Sequence, residues 1–250
     1  MPTLTITNGE VPLHVVDHGG TGRPIVLLHG GDRSSADWTE IAGRLSALGY
    51  RPVAVDLRGH GRTPAATWSW ELVLSDVAAV IDSLDLVRPA VVGHSLGGMI
   101  AALWAAEHPD CPLAVNLDGH GNPIHPSQYA GLAPERAAQE HAALRAELAN
   151  MSAGLGDYLI TVVRAFERLD RFAAYRRAGG PLVVTRSARS MADLLPEAVQ
   201  DTWRAHERWL GEQLAALAAD GAMELIATPT GHDVHLEDPA LVTRIVHERL

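Results

Sequence analysis

The chain has no lysine: all 20 basic residues among its 250 are arginine. That absence excludes Schiff-base and pyridoxal-phosphate linkages, the phosphate-cradling lysine of P-loops, kinase lysines and Ser-Lys dyads. Cysteine is nearly absent too. The lone Cys111 rules out disulfide frameworks, paired redox cysteines and multi-cysteine zinc sites. It lies in HPDCPLAV, which reads as a helix end leading into a strand, so Cys111 is expected to be a small buried hydrophobe. Chemistry is left to serine, histidine and carboxylates.

Long apolar runs are also missing, and the longest, Met99 to Ala106, is far too short to span a bilayer. The opening MPTLTITNGEVPLHVV has no basic segment followed by an apolar one, so no secretory leader is expected and a cytoplasmic location is the default. Positive charge is in deficit. With 30 acidic residues against 20 basic ones and a net charge of −10, binding to nucleic acid or to an anionic membrane is disfavoured.

What is present suits one α/β domain with an insertion, since 47% of the residues are apolar. Thr3 to Thr7 and Val11 to Val16 read as a hairpin around Asn8-Gly9. Apolar runs at 25–28, 52–55, 90–92, 113–117, 181–185 and 223–227 then alternate with helical patterns. The fold class expected is α/β: a mostly parallel eight-stranded sheet flanked by helices, with an N-terminal hairpin.

The alternation breaks at residues 119–178, which carry turn-rich sequence and then two helical stretches without a strand. The second stretch has an apolar stripe of Leu155, Leu159, Val162, Phe166 and Leu169 at spacings of three and four. Five of the chain's six Phe and Tyr residues fall in this insertion. The core is therefore expected over 1–118 and 179–250, with 119–178 as a separate helical unit.

The strongest chemical signal is Gly93-His94-Ser95-Leu96-Gly97 between the strand AVV and a helix. A serine there sits on a sharp strand-to-helix turn, and glycines two positions either side permit close backbone contacts. Ser95 is the candidate nucleophile. The amide of Leu96, at a helix N-terminus, is available to an oxyanion. A hydroxyl needs a base, and His232, in the loop after the last strand, is preferred over His235. The pair could instead suggest a metal site, but no third ligand at a recognised spacing accompanies it, so no metal is expected.

Four segments in order carry a resemblance: His29-Gly30-Gly31 after a strand, DLRGHGRT at 56–63, GHSLGG at 93–98 and GHDVHLEDP at 231–239. Over nearly its whole length the chain resembles the α/β-hydrolase family. The resemblance implies that 119–178 is a helical lid inserted after the sixth strand and that the Gly31 amide is the second oxyanion donor. It also implies a triad acid, either at the end of the sixth strand or after the seventh. Asp118 directly ends the sixth strand, whereas after the seventh no carboxylate comes until Asp193, so Asp118 is preferred and Asp193 is the alternative.

The activity implied is cleavage of an ester, lactone or related small-molecule acyl substrate by Ser95, His232 and Asp118, with no cofactor. Carbon–carbon bond hydrolysis, acyl transfer and cofactor-free perhydrolysis use the same triad, and a non-catalytic binding protein could keep the same fold. An epoxide hydrolase or haloalkane dehalogenase of this family would need Asp at position 95. Asp56, Arg58 and His60 are expected to fix a loop, and His29 to support the oxyanion segment. Trp38, His94, His120, Tyr129 and Phe166 are candidate substrate contacts. The apolar insertion suggests uncharged or hydrophobic substrates, with no arginine in the site.

Overall fold

The computed structural model of the chain describes residues 2–153 and 156–250. β1 (Thr3–Asn8) and β2 (Val11–Asp17) pair antiparallel, with Asn8 opposite Val11 across a turn in which Gly9 has φ 59°. Then come β3 (Pro24–Leu28), α1 (Thr39–Ala47), β4 (Arg51–Val55), α2 (Trp70–Ser83), β5 (Ala90–His94), α3 (Leu96–Glu107) and β6 (Ala114–Leu117). Residues after β6 form α4 (Pro134–Ser152), α5 (Asp157–Phe166) and α6 (Arg171–Arg177). The chain closes with β7 (Leu182–Ser187), α7 (Glu197–Ala219), β8 (Glu224–Thr228), α8 (Val234–Glu237) and α9 (Pro239–His247).

The eight strands lie in the order β1-β2-β4-β3-β5-β6-β7-β8. β2 runs antiparallel to β4, and every pairing beyond β4 is parallel, so the sheet is mixed through its hairpin edge alone. Alternation along each strand splits the core in two. Val26, Leu28, Val53, Val55 and Val91 face the layer holding Val77, Ile100 and Trp104. Their neighbours Ile25, Leu27, Ala54 and Val92 face Trp38, Ile41, Leu45, Val242 and Ile245. Each such fully buried aliphatic side chain contributes about 1.5–3 kcal/mol of transfer free energy, which is why the middle strands read as continuous apolar runs.

Among the described residues, 119–178 holds three α-helices rather than two helical stretches. Asp170 caps α6 by accepting from the Ala173 amide at 2.9 Å, which separates it from α5. Of the apolar stripe, Leu155 lies outside the described residues. Val162 is buried, Phe166 ends α5, and Leu169 falls beyond it. α5 docks on the body: the Tyr158 hydroxyl donates to the Arg58 carbonyl, and Trp70 Nε1 donates to the Ala165 carbonyl at 3.3 Å. α6 packs along α3, with Tyr175 fully buried and its phenol oxygen accepting from Asn116 Nδ2 at 2.9 Å. A third apolar cluster joins α4 to α7 through Leu144, Val199 and Trp203. Among the described residues no helix is long and apolar enough to cross a membrane.

Candidate active site

Parallel strands deliver their carboxyl ends to one edge of the sheet, and there β5 is followed directly by Ser95, with φ 50° and ψ −112°. A non-glycine residue in such a conformation costs about 1–3 kcal/mol and persists only where its surroundings enforce it. Here the Ser95 amide donates to the Leu117 carbonyl at 2.9 Å, and the Gly97 amide donates to the His29 carbonyl at 3.1 Å. The flanking glycines are required by contact. A Cβ on Gly93 would lie 2.0 Å from the Gly97 carbonyl oxygen, and one on Gly97 would lie 2.1 Å from that of Leu28.

Asp118, the first residue after β6, also has positive φ, at 55°. Its Oδ1 accepts from the Ser187 amide at 2.9 Å, and its Oδ2 accepts from His232 Nδ1 at 2.8 Å. Burial works to raise the Asp118 pKa, but the neighbouring imidazoles, His120 at 3.6 Å and the hydrogen-bonded His232, outweigh it and hold the carboxyl well below the usual carboxylate range. The loop carrying His232 is tied down as well. Ser187 Oγ donates to the Gly231 carbonyl at 2.7 Å, and His94 Nε2 donates to the His232 carbonyl at 2.9 Å. Asp193, the alternative acid, has a side chain 69% exposed and pairs with Arg204 at 2.7 Å. The carboxylate on His232 is Asp118.

The segment His29-Gly30-Gly31 lies against the serine, since a Cβ on Gly30 would stand 3.3 Å from Ser95 Cβ. His29 is neutral and organises this turn: Nδ1 donates to the Gly30 carbonyl at 2.6 Å, and Nε2 accepts from the Leu57 amide at 3.0 Å. Burial pushes its pKa down to about 4. In a trans peptide the carbonyl and the following N–H point in opposite directions. Holding the Gly30 carbonyl therefore turns the Gly31 N–H the other way, and that amide has no acceptor among the described residues. Leu96 N–H, at the start of α3, is likewise without one, as expected of a first-turn donor.

Ser95, Asp118 and His232 line one cavity of about 280 Å³. His120 and Phe166 line the same cavity. Trp38, His94 and Tyr129 do not. Trp38 closes a short 3-10 turn, Ser35–Trp38, that buries it completely in the opposite core layer against His235. His94 is 1% exposed, stacked on His235 and bonded to the His232 backbone, so it supports that loop and does not face the cavity. Tyr129 packs behind His206 and bonds His141 Nδ1 at 2.7 Å.

Sequence reasoning missed the wall built by the segment after β7 and by α7, including Arg186, Met191, Trp203, His206 and Glu207. The signal available was that β7 ends at the same edge of the sheet as Ser95. DLRGHGRT behaves as expected. Asp56 accepts from the Ser35 and Arg62 amides at 2.6 and 2.9 Å, and Arg58 grips Asp76 bidentately at 2.6 and 2.7 Å.

His94, Asp233 and His235 bring potential metal-ligand atoms within 4.8 Å of one another, a grouping the sequence spacing did not reveal. One nitrogen of each histidine and one Asp233 oxygen already have partners. His94 Nε2 bonds the His232 carbonyl, Asp233 pairs with Arg33 at 2.6 Å, and His235 Nε2 lies 3.5 Å from Asp37. The grouping braces the His232 loop. A larger concavity, about 780 Å³, is lined by Arg176, Pro181, Met223 and Arg249, and none of Ser95, Asp118 or His232 reaches it.

Among curated proteins, Epoxide hydrolase 3 of Siraitia grosvenorii is 33% identical over 129 residues, covering 50% of this chain and 40% of that protein. A non-heme haloperoxidase of Rhodococcus erythropolis is 37% identical over 110 residues, 43% of this chain and 39% of that protein. The matches thus span about two fifths of these relatives' length. Among solved structures, the thioesterase domain from the curacin biosynthetic pathway has a TM-score of 0.69 at 18% identity, covering 99% of both chains. The enol-lactonase from Burkholderia xenovorans LB400 has a TM-score of 0.65 at 20% identity, covering 99% of this chain and 98% of that one. Those structural likenesses concern the fold. The model of the alpha/beta hydrolase family matches residues 25–245, nearly the whole chain, and the chain belongs to that family.

Proposed function

We propose that the protein is a serine hydrolase that cleaves an ester, lactone or related acyl substrate through an acyl-enzyme. The observation that carries this reading is the 2.8 Å contact between Asp118 Oδ2 and His232 Nδ1 in the cavity that also holds Ser95. A proton fixed on Nδ1 leaves Nε2 as a lone pair, the form a general base needs.

In the proposed sequence His232 Nε2 takes the Ser95 hydroxyl proton as Oγ bonds to the acyl carbon. Ser95 Oγ has no hydrogen-bond partner among the described residues, and such contacts commonly tighten only with substrate bound. The amides of Gly31 and Leu96 hold the oxyanion. The bond to the leaving oxygen then breaks, and that oxygen takes the proton from Nε2. Water repeats the cycle on the acyl-enzyme, giving up a proton to His232, and the acid departs as Oγ is restored. Asp118 remains ionised and stabilises the imidazolium.

Serine at position 95 argues against epoxide opening, although epoxide hydrolases are among the similar proteins. Attack by a hydroxyl on an epoxide carbon leaves an ether, which water does not readily cleave, so turnover would stop. The test is incubation with a fluorophosphonate followed by intact mass, beside a panel of aryl esters and lactones. One adduct lost in Ser95→Ala, with Ser95-dependent turnover, is expected. Neither labelling nor turnover would leave a binding protein as the better reading.

A further inference from the structure

Arg171, the first residue of α6, is only 6% exposed. Among the described residues no nitrogen of its guanidinium has a hydrogen-bond or ion-pair partner, and Nε and Nη2 are sealed from solvent. The adjacent Asp170 is committed to capping α6. The Phe172 ring, 4.9 Å from the guanidinium carbon, is its evident protein compensation. A buried cation without a counter-ion costs several kcal/mol of solvation, so the folded protein keeps this arginine at a loss unless something else pairs with it.

The remaining nitrogen, Nη1, points to where the partner would come from. Gly121 and Met99 both line the Ser95 cavity. A Cβ on Gly121 would lie 3.4 Å from Met99 Cε and 3.7 Å from Arg171 Nη1. The missing side chain at 121, whose φ is +70°, leaves Nη1 reachable from the cavity wall. Arg186 lies in that wall. Its Nη2 donates to the Glu207 backbone carbonyl at 2.9 Å, and no carboxylate stands within ion-pair distance of it among the described residues.

The other charged groups of the cavity are occupied. Asp118 serves His232 and the Ser187 amide, and Arg189 is paired with Glu237. Glu207 accepts from Ser190 Oγ, the Met191 amide and Trp203 Nε1. Two of the cavity's histidines already give a ring N–H to the backbone, His120 Nε2 to the Thr185 carbonyl and His206 Nδ1 to the Gln128 carbonyl. Among the described residues two guanidiniums without carboxylate partners therefore stand at this cavity, Arg186 in its wall and Arg171 behind Gly121, while the Glu207 carboxylate is hydrogen-bonded but not ion-paired.

We propose that Arg171 and Arg186 form a carboxylate-recognition subsite of the Ser95 cavity, so that the substrate is a half-ester of a dicarboxylic acid or a lactone with a free carboxylate. This rests on the serine hydrolase reading for the ester bond, but the anion subsite stands on its own geometry. It replaces the expectation of uncharged substrates and of a site without arginine. Guanidinium–carboxylate pairing is charge-assisted and gains strength where water is excluded.

The experiment compares 4-nitrophenyl hydrogen glutarate with 4-nitrophenyl pentanoate, which differ only in a terminal carboxylate or methyl. The half-ester should show the higher kcat/KM by tenfold or more on the scale of a charge-assisted contact, about one decade per 1.4 kcal/mol. Arg171→Met and Arg186→Met should each lower that ratio about tenfold, chiefly through KM, and Arg171→Lys should restore part of it. Glutarate binding to Ser95→Ala, followed by calorimetry, should weaken in parallel when either arginine is replaced.

The unfolding midpoint of Arg171→Met should equal or exceed that of the parent, because an unpaired buried charge has been removed. A preference for the pentanoate, a ratio unmoved by both substitutions, or a lowered midpoint in Arg171→Met would overturn the subsite. If neither ester is hydrolysed and Ser95 is not labelled, the hydrolase reading fails, and arginine-dependent glutarate binding still decides the subsite.

Discussion

Asp118 Oδ2 meets His232 Nδ1 at 2.8 Å across 114 positions of sequence, and the contact is prepared from both sides. On one side the Ser187 amide and Thr185 Oγ1 fix Asp118; on the other the His94 side chain and Ser187 Oγ fix the His232 loop. Asp118→Asn should cut turnover by roughly three to four orders of magnitude, because an amide N–H facing Nδ1 forces the wrong tautomer. Asp193→Asn should stay near wild type. Steady-state kinetics of the two variants on one aryl ester checks the pair, and the reverse result would sink the assignment.

Two glycines should respond to alanine in opposite directions. Gly97→Ala puts a Cβ 2.1 Å from the Leu28 carbonyl oxygen, where backbone must move. A loss of at least ~2 kcal/mol is expected from such overpacking, together with lost Ser95 labelling. Gly43, inside α1, has nothing within 4 Å of its virtual Cβ. Gly43→Ala should gain ~0.5–1 kcal/mol from backbone entropy and helix propensity. Urea unfolding of both variants is the measurement, and equal effects would contradict the packing account.

The Arg58–Asp76 pair is buried, with side chains 3% and 2% exposed. Arg58 also donates to the Thr67 and Leu72 carbonyls, at 2.5 and 3.0 Å. Asp76→Asn leaves that guanidinium without its counter-ion and should cost about 3–5 kcal/mol. A denaturant midpoint close to that of the parent would show that water or a rearranged side chain compensates.

Acid should weaken the fold through its buried histidines. Burial pushes the pKa of His29, His206 and His235 down from 6.5 to about 4. Between those values the unfolded chain binds protons that the folded chain refuses, so stability falls as pH falls. Each histidine adds up to roughly 1.4 kcal/mol per pH unit to that slope. The Asp118 pKa is also lowered, by its imidazole partners against the effect of burial, and its stabilising contribution is lost only at lower pH still. Urea midpoints measured from pH about 7 down to about 5 should decline steadily, and a flat profile would exclude this account.

Much of the fold was legible because it is local. Period-two burial of Val26 and Leu28 against Ile25 and Leu27 follows from pleat geometry, and the glycines around Ser95 announce backbone that must touch backbone. The helices after β6 were less so. An apolar stripe at helical spacing reads as one helix through Leu169, and only the Asp170 cap and the turn before it separate α5 from α6. Trp38 shows the same limit. It follows the Gly31 loop closely in sequence, yet one 3-10 turn carries it to the other side of the sheet.

The sequence alone determined the alternating α/β frame, the strained position of Ser95 and the amide that follows it, since these depend on spacings within a few residues. The tertiary structure decided what faces Ser95: Asp118 and not Asp193 on His232, His120 and Phe166 in the cavity, His94 and Trp38 outside it, and arginines from β7 and α6 in or behind its wall. Those relationships join loops from separate strands. Local periodicity specifies which face a residue takes on its own element, whereas the meeting of distant loops follows from strand order, from hydrogen bonds such as Ser187 to Asp118, and from the space that Gly121 leaves open beside Arg171.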